Sequence, residues 1–369
     1  MSQIFLPNSR RSPYHAATEA AGAVEYMVYN HMYMPLDYGR PPLDDYRALR
    51  EAVTLWDVGA ERQVQMKGPD AVAFADYLVT RDLTGLPAGR CRYVLATDDA
   101  GRVICDPVLL RPFEDTVWLS HGSVDLLLWA KGIALHHDAQ IEVTEADVPP
   151  LQLQGPRSRD VLRRLLGDAV DGLAYYDCMA AAIAGHELIV SRTGWSGGLG
   201  YELYPLGSAG APAIWDAVVE AGRPSGLVIT GPNVPHAIEC GITDCQYYTN
   251  FEVNALEFSP RLVDLDKADF IGRQALRQIA AAGVQRRTVG LLGGSERLPR
   301  LQWAWTVHRN GQEVGRLRWA AFSPALERMI AVALIDTGQA EPGNQVTVRH
   351  HGGEAEMVTA ALPFLARQD

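Results

Sequence analysis

Long apolar runs are missing from this 369-residue chain, so no stretch is built to cross a bilayer as a single helix. The start, Met1 to Arg11, lacks the charged-then-apolar order of a secretory leader. A cytoplasmic protein without a membrane partner is therefore expected. Cysteine is scarce: Cys91, Cys105, Cys178, Cys240 and Cys245 are odd in number and never spaced C-x-x-C, which speaks against a disulfide framework and a zinc cage. Basic residues are outnumbered, 33 Lys and Arg against 44 Asp and Glu, and a net charge of −11 argues against a nucleic-acid partner. Histidines do not gather into ligand sets either. His136-His137-Asp138, His236 with Glu239, and His350-His351 each lack a third ligand at a recognised spacing, so no metal is expected.

What is present reads as a globular protein, with 47% hydrophobic and 21% charged residues. The length calls for two or three domains. Small and apolar residues at helical spacing (Ala17, Ala21, Val24, Met27) predict a helix from Tyr14 toward His31. It runs into an aromatic and methionine cluster, Val28 to Met34, which suits either a core or a pocket wall for an apolar or cationic group. Trp56 to Met66 reads as a strand, and Ala71 to Val79 as a short helix. From Cys91 the pattern has period two, with the turn Asp98 to Gly101, and predicts a hairpin. Asp106 falls in the middle of its second strand, among apolar neighbours. A carboxylate is costly to bury there unless it meets donors or does chemistry; fixing the backbone before Pro107 is the plainer role.

Two similar α+β units follow one another and suggest an internal duplication. Ala268 to Gln278 reads as a helix, and Ala280 to Gly283 as a linker. The remaining residues alternate short β runs with turns, Asn310-Gly311 being the strongest hairpin signal, so a separate all-β domain is expected.

The most informative stretch is Ser191 to Pro205, with Gly194, Gly197, Gly198 and Gly200 between two alternating runs. It reads as a glycine-rich connection between strands where backbone can approach a flat ligand. Trp195 and Tyr201 offer aromatic faces, and Glu202 offers a carboxylate that accepts two parallel N–H donors, as an amino-pyrimidine edge presents. An ordinary hairpin with a buried tryptophan is the plainer alternative. Gly194-Trp195-Ser196-Gly197-Gly198 also matches G-x-S-x-G, the nucleophile elbow of serine hydrolases, but the elbow needs a helix after the serine and a strand-like run follows here.

Gly89-Arg90-x-x-Tyr93, Asp106 after an Asp-x-x-Gly turn, Gln154-Gly155-Pro156, Ser191-Arg192-Thr193-Gly194 with Gly-Tyr-Glu, Phe270-Ile271-Gly272-Arg273 and Phe322-Ser323-Pro324 occur in one order nearly end to end. In these the chain resembles the folate-dependent aminomethyltransferase family, founded on the T-protein of the glycine cleavage system. Arg11-Ser12-Pro13, Val28 to His31, Trp56-Asp57-Val58-x-x-Glu61-Arg62-Gln63-Val64, Cys91 and Leu362-Pro363-Phe364 look most like its dimethylsulfoniopropionate demethylase branch. After Ile238-Glu239, where relatives carry an arginine, stands Cys240, and the stretch through Asp244 to Pro260 departs from the pattern.

The resemblance implies an α+β fold of the T-protein type: two ferredoxin-like domains (1–50 with 146–225, and 51–145 with 226–279) and a C-terminal β-barrel or jelly-roll-like domain (280–369) around a folate channel. It implies tetrahydrofolate as cofactor and a small-molecule methyl donor as partner, with the oligomeric state left open between monomer and homodimer. Glu202 would grip the pterin, Tyr201, Trp195, Tyr93 and Arg192 would complete its site, and Asp106 with Tyr201 would serve the chemistry near N5. The donor would meet Tyr29, His31, Tyr33, Tyr247 and Phe251, with Arg92 pairing its carboxylate. The expected reaction carries a methyl group from a small onium carboxylate to N5. Glycine betaine, an N-methylated heteroaromatic acid and an aryl methyl ether are other donors, the last needing a proton donor such as His31 or Tyr93.

Overall fold

A computed structural model describes residues 9–121, 125–244, 253–299 and 305–366. Its first sheet has six strands in the order Cys178–Ile183, His186–Ser191, Gly200–Pro205, Leu151–Gln154, Val53–Asp57 and Leu227–Ile229. Along Leu151–Gln154 the side chains alternate. Leu151 and Leu153 join Leu55, Tyr201 and Leu203 under the helices Ser158–Leu166 and Ala211–Gly222, so Gln152 and Gln154 face the other way.

The second sheet has five strands, in the order Glu142–Ala146, Arg62–Lys67, Thr116–His121, Val108–Phe113 and Arg90–Tyr93. Helices Ala71–Leu78 and Leu126–Ala134 cover one face over Val64, Met66, Leu109 and Leu119. Its opposite face meets the first sheet, where Cys91, Leu110 and Trp118 pack against Ile189 and Tyr204. The sheets thus turn their less apolar faces toward each other. The third unit is a closed six-stranded barrel of Arg286–Leu292, Arg328–Asp336, Gln312–Ser323, Thr306–Arg309, Gln345–His350 and Gly353–Ala360. Asn310 and Gly311 form its expected hairpin turn, at φ +51° and +80°.

Helix Val234–Glu239 joins the barrel to the sheets. Ala237 and Ile238 pack on Trp319, Ile330 and Val332, with Trp195 against the same cluster. Buried Glu239 accepts hydrogen bonds from Tyr46 Oη at 2.7 Å and Ser323 Oγ at 2.5 Å, tying three parts of the chain to one carboxylate.

Three expectations are corrected. The helix expected from Tyr14 stops at Ala20, because Gly22 turns left-handed at φ +97°; Glu25–Tyr29 and Met32–Asp37 then form a hairpin about Asn30 and His31, both at positive φ. Strand Val53–Asp57, which a boundary at residue 50 assigns to the second unit, is hydrogen-bonded within the first sheet. Ala280 to Ala282 continue the helix Arg273–Ala282 rather than form a linker, and Gly283 ends it at φ +88°.

Candidate active site

The loop after His186–Ser191 leads back into Gly200–Pro205, as a glycine-rich connection between adjacent antiparallel strands. Its glycines are dictated by close approach. A Cβ on Gly197, which sits at φ +77°, would collide with the side chain of Cys240, and one on Gly200 would collide with the Gln154 amide. Trp195 donates its backbone N–H to Gln152 Oε1 at 3.2 Å and leans on Trp319, ring centroids 5.5 Å apart. Ser196 is buried and donates to Gln154 Oε1 at 2.7 Å. The next element is a strand, so Ser196 has neither the helix nor the exposure of a nucleophile elbow, and the serine hydrolase reading falls.

Between the sheets and the loop lies a cavity of about 500 Å³. Glu202 enters it from Gly200–Pro205, directly opposite Gln152 in the ladder. Its Oε1 accepts from Gln152 Nε2 at 2.8 Å, and its Oε2 accepts from Tyr204 Oη at 2.9 Å and from the Thr193 hydroxyl. Burial pushes its carboxyl above the usual range and these donors hold it back in part. Glu61 enters beside it, sharing the Gln152 amide at 3.3 Å. Burial first, and then the charges of Glu202 and Asp244, push the Glu61 carboxyl well above the ordinary value, against a hydrogen bond from Ser120.

On another part of the wall Tyr93 donates to Asp106 Oδ2 at 2.6 Å, with Thr243 O at 3.2 Å. Asp106 is not mid-strand: the ladder breaks at Asp106-Pro107, between Val103–Cys105 and Val108–Phe113. Pro107 has no N–H to give a ladder, and the break exposes the carboxylate to the cavity. Arg81 and Arg261 also line it. Arg81 donates to Tyr93 O at 3.1 Å, and its own carbonyl is held by buried Lys267 at 3.0 Å.

Of the residues expected at the site, Glu202, Trp195, Tyr93, Asp106 and Tyr29 line this cavity. Tyr201 does not. Strand alternation turns it into the helix-covered core, where its hydroxyl accepts from Arg159 Nε at 3.1 Å. His31 tips the hairpin turn with its side chain 62% exposed, 3.8 Å from Asp125. Tyr33 is buried on strand Met32–Asp37, and Arg192 follows strand His186–Ser191 with its backbone bonded to Asp177 and Tyr176; neither lines the cavity. Arg92 is drawn away to the Asp82 carbonyl, which leaves the cavity arginines to be Arg81 and Arg261 among the described residues. Tyr247 and Phe251 lie outside the described residues. Nothing in the local sequence marks Arg81, Asp244 or Arg261 as cavity residues, and Glu61 stands there only within a motif. The alternation Leu151-Gln152-Leu153-Gln154 was the available signal for Gln152.

Two α+β units that enclose one cavity of carboxyls, aromatic rings and guanidinium groups, with a closed barrel joined to them through helix Val234–Glu239, have the concave, mixed polar and aromatic site of an enzyme for small molecules. The family description "GCVT N-terminal domain" matches residues 14–240, and "Glycine cleavage T-protein C-terminal barrel domain" matches 286–365. The chain is 34% identical over 354 residues to the dimethylsulfoniopropionate demethylase DmdA of Ruegeria pomeroyi, covering 96% of this chain and 97% of the relative. It is 31% identical over 343 residues to an aminomethyltransferase of Thermotoga maritima, covering 90% and 91%. The crystal structure of the glycine cleavage system aminomethyltransferase T from Bartonella henselae superposes with a TM-score of 0.85 at 21% identity, over 97% of this chain and 99% of that one. The chain belongs to the glycine cleavage T-protein family and is a tetrahydrofolate-dependent methyltransferase.

The site fits that cofactor chemically. A reduced pterin carries adjacent N–H donors on its pyrimidine edge, and the wall offers the buried Glu202 carboxyl, oriented by Gln152, Thr193 and Tyr204, as their acceptor.

Proposed function

We propose that the enzyme moves a methyl group from a small onium carboxylate, of the dimethylsulfoniopropionate kind, to N5 of tetrahydrofolate, giving 5-methyltetrahydrofolate. The carrying observation is one cavity in which acids (half-buried Glu61 and buried Glu202), aromatic rings (Tyr29, Trp195) and arginines (Arg81, Arg261) are combined. That composition suits a zwitterion: aromatic faces and carboxylates for the cation, a guanidinium for its carboxylate. The relative from Ruegeria pomeroyi supports the same donor class by its name.

Tetrahydrofolate supplies the nucleophilic amine, N5. In the proposed arrangement Glu202 holds the pyrimidine edge, with its carboxylate oriented by Gln152, Thr193 and Tyr204. Arg81 or Arg261 takes the donor carboxylate, and the cavity walls exclude water so that donor and acceptor stay aligned. A sulfonium leaves as a neutral thioether and a tetraalkylammonium as a neutral amine, so neither needs an acid. Asp106, oriented by Tyr93, accepts the one proton that N5 gives up on methylation. Aryl methyl ethers fit less well, because phenolate needs a proton donor, His31 lies outside the cavity wall, and the Tyr93 proton is committed to Asp106.

The test incubates the enzyme and tetrahydrofolate with dimethylsulfoniopropionate, glycine betaine, an N-methylpyridinium carboxylate and an aryl methyl ether, and quantifies 5-methyltetrahydrofolate. Product from an onium carboxylate is expected. Product from the ether alone would refute the reading.

A further inference from the structure

Glu61 is the carboxyl that holding a pterin does not require. It stands at the head of strand Arg62–Lys67, fixed by its backbone N–H to Val58 O at 2.8 Å, and its side chain enters the cavity. Its neighbour Glu202 already has three donors on its two oxygens. The side-chain partners of Glu61 are neutral: the Ser120 hydroxyl and a long contact of 3.3 Å to the Gln152 amide. Among the described residues no Lys, Arg or His forms an ion pair with it. Burying a second carboxyl beside the first is unfavourable, and the protein gains nothing in stability from doing so. The acids that face it, Glu202 from strand Gly200–Pro205 and Asp244 after helix Val234–Glu239, deepen the negative potential, and the neutral Tyr204 hydroxyl spends its proton on Glu202. Ser120 with His121 on strand Thr116–His121, Gln152, and the rings of Tyr29 and Trp195 complete that part of the wall, with Asp106, Arg81 and Arg261 further round. An under-compensated acid next to aromatic faces is a receptor for a cation.

We propose that Glu61 is the counter-ion for the cationic centre of the methyl donor, and that it selects onium donors over neutral molecules of the same shape. The inference rests on the onium-carboxylate reading above and assigns its specificity to one residue. A linkage follows. Burial and neighbouring acids favour the protonated form of Glu61, whereas a bound cation favours the ionised form. Donor binding therefore releases a proton from Glu61, and donor affinity rises with pH until Glu61 is ionised in the free enzyme.

The test pairs dimethylsulfoniopropionate with 4-methylpentanoate, in which a C–H replaces the sulfonium, and measures binding of each by calorimetry in buffers of different ionisation enthalpy. Wild-type enzyme is expected to prefer the sulfonium at least about tenfold, as for a desolvated charge-assisted contact, and to release a proton with it alone. Glu61→Gln should bring the preference close to unity, abolish the proton release and flatten the pH dependence of kcat/KM, with the Kd for tetrahydrofolate unchanged. Glu61→Asp, which restores the charge, should recover part of the preference. Glu61→Gln that keeps the full preference, or loses tetrahydrofolate instead, overturns the assignment while the methyl-transfer reading stands. Wild-type enzyme that binds tetrahydrofolate but no onium donor overturns that reading, and the assignment with it.

Discussion

Tyr201 and Glu202 are consecutive, yet they serve opposite sides of one sheet. The Glu202 carboxylate opens onto the central cavity, and the Tyr201 ring is fully buried beneath helices with its hydroxyl on Arg159. Neighbouring positions on a strand cannot share a ligand face.

This separation gives opposite outcomes for two conservative changes. Glu202→Gln should weaken tetrahydrofolate binding about 10- to 100-fold, the scale of one charge-assisted hydrogen bond. Tyr201→Phe should leave that affinity alone and cost about 1 kcal/mol of stability through the lost Arg159 contact. Calorimetric titration and urea unfolding of both variants check the pair. Weakened cofactor binding in Tyr201→Phe would contradict the placement.

Asp106 is assigned to the proton from N5, so Asp106→Asn should lower kcat about 10²- to 10⁴-fold, the range for a positioned general base. Tyr93→Phe removes only the group that orients it and should cost less, about tenfold. Single-turnover rates and cofactor Kd measured on the same preparations separate chemistry from binding, and a fall in affinity with unchanged single-turnover rate would argue against the role.

Asp57 yields a prediction about pH. It is buried, accepts from Ser12 Oγ at 2.5 Å and Gly59 N at 3.0 Å, and burial raises its pKa from 3.8 to about 6. The folded state therefore binds that proton more tightly than the unfolded state, so the contribution is favourable at low pH and is lost as pH rises from about 4 to about 6. The difference is on the order of 3 kcal/mol. Glu61 and Glu202, also raised, act in the same direction. Cofactor-free enzyme should thus be more stable at pH 5 than at pH 7 in chemical unfolding, and Asp57→Asn should shrink the difference. An unchanged pH slope in that variant would count against the assignment.

Gly197 combines a left-handed backbone with contact to Cys240, so Gly197→Ala meets two penalties. The backbone part is about 1 to 2 kcal/mol, and displacement of Cys240 adds to it. In a double-mutant cycle, Cys240→Gly should relieve the steric part and leave the backbone part. Strict additivity of the two changes would show that the side chains do not meet.

Much of the architecture could be read from residue order. Period-two alternation marked the hairpin into which Tyr93 and Asp106 fall, Asn310-Gly311 marked the barrel turn, and the glycine cluster at 194–200 marked the strand connection that carries Trp195. Misreadings came where two patterns share a signal. Small residues from Ala17 onward satisfy helical spacing, but Gly22 and the left-handed Asn30-His31 turn impose a hairpin. Tyr33, His31, Arg92 and Arg192 have the right chemistry for a ligand, and the fold places them off the cavity wall.

Local chemistry, which the sequence carries by itself, determined which strands form, where they turn, and that a glycine-rich loop stands beside a carboxylate. The meeting of Glu61 with Glu202 across the Gln152 amide, the choice of Arg81 over Arg92, and the withdrawal of Tyr201 were decided by tertiary structure. The physical reason is that alternation tells which residues share a face of one strand, whereas which faces meet depends on sheet order and on packing between residues far apart in the chain.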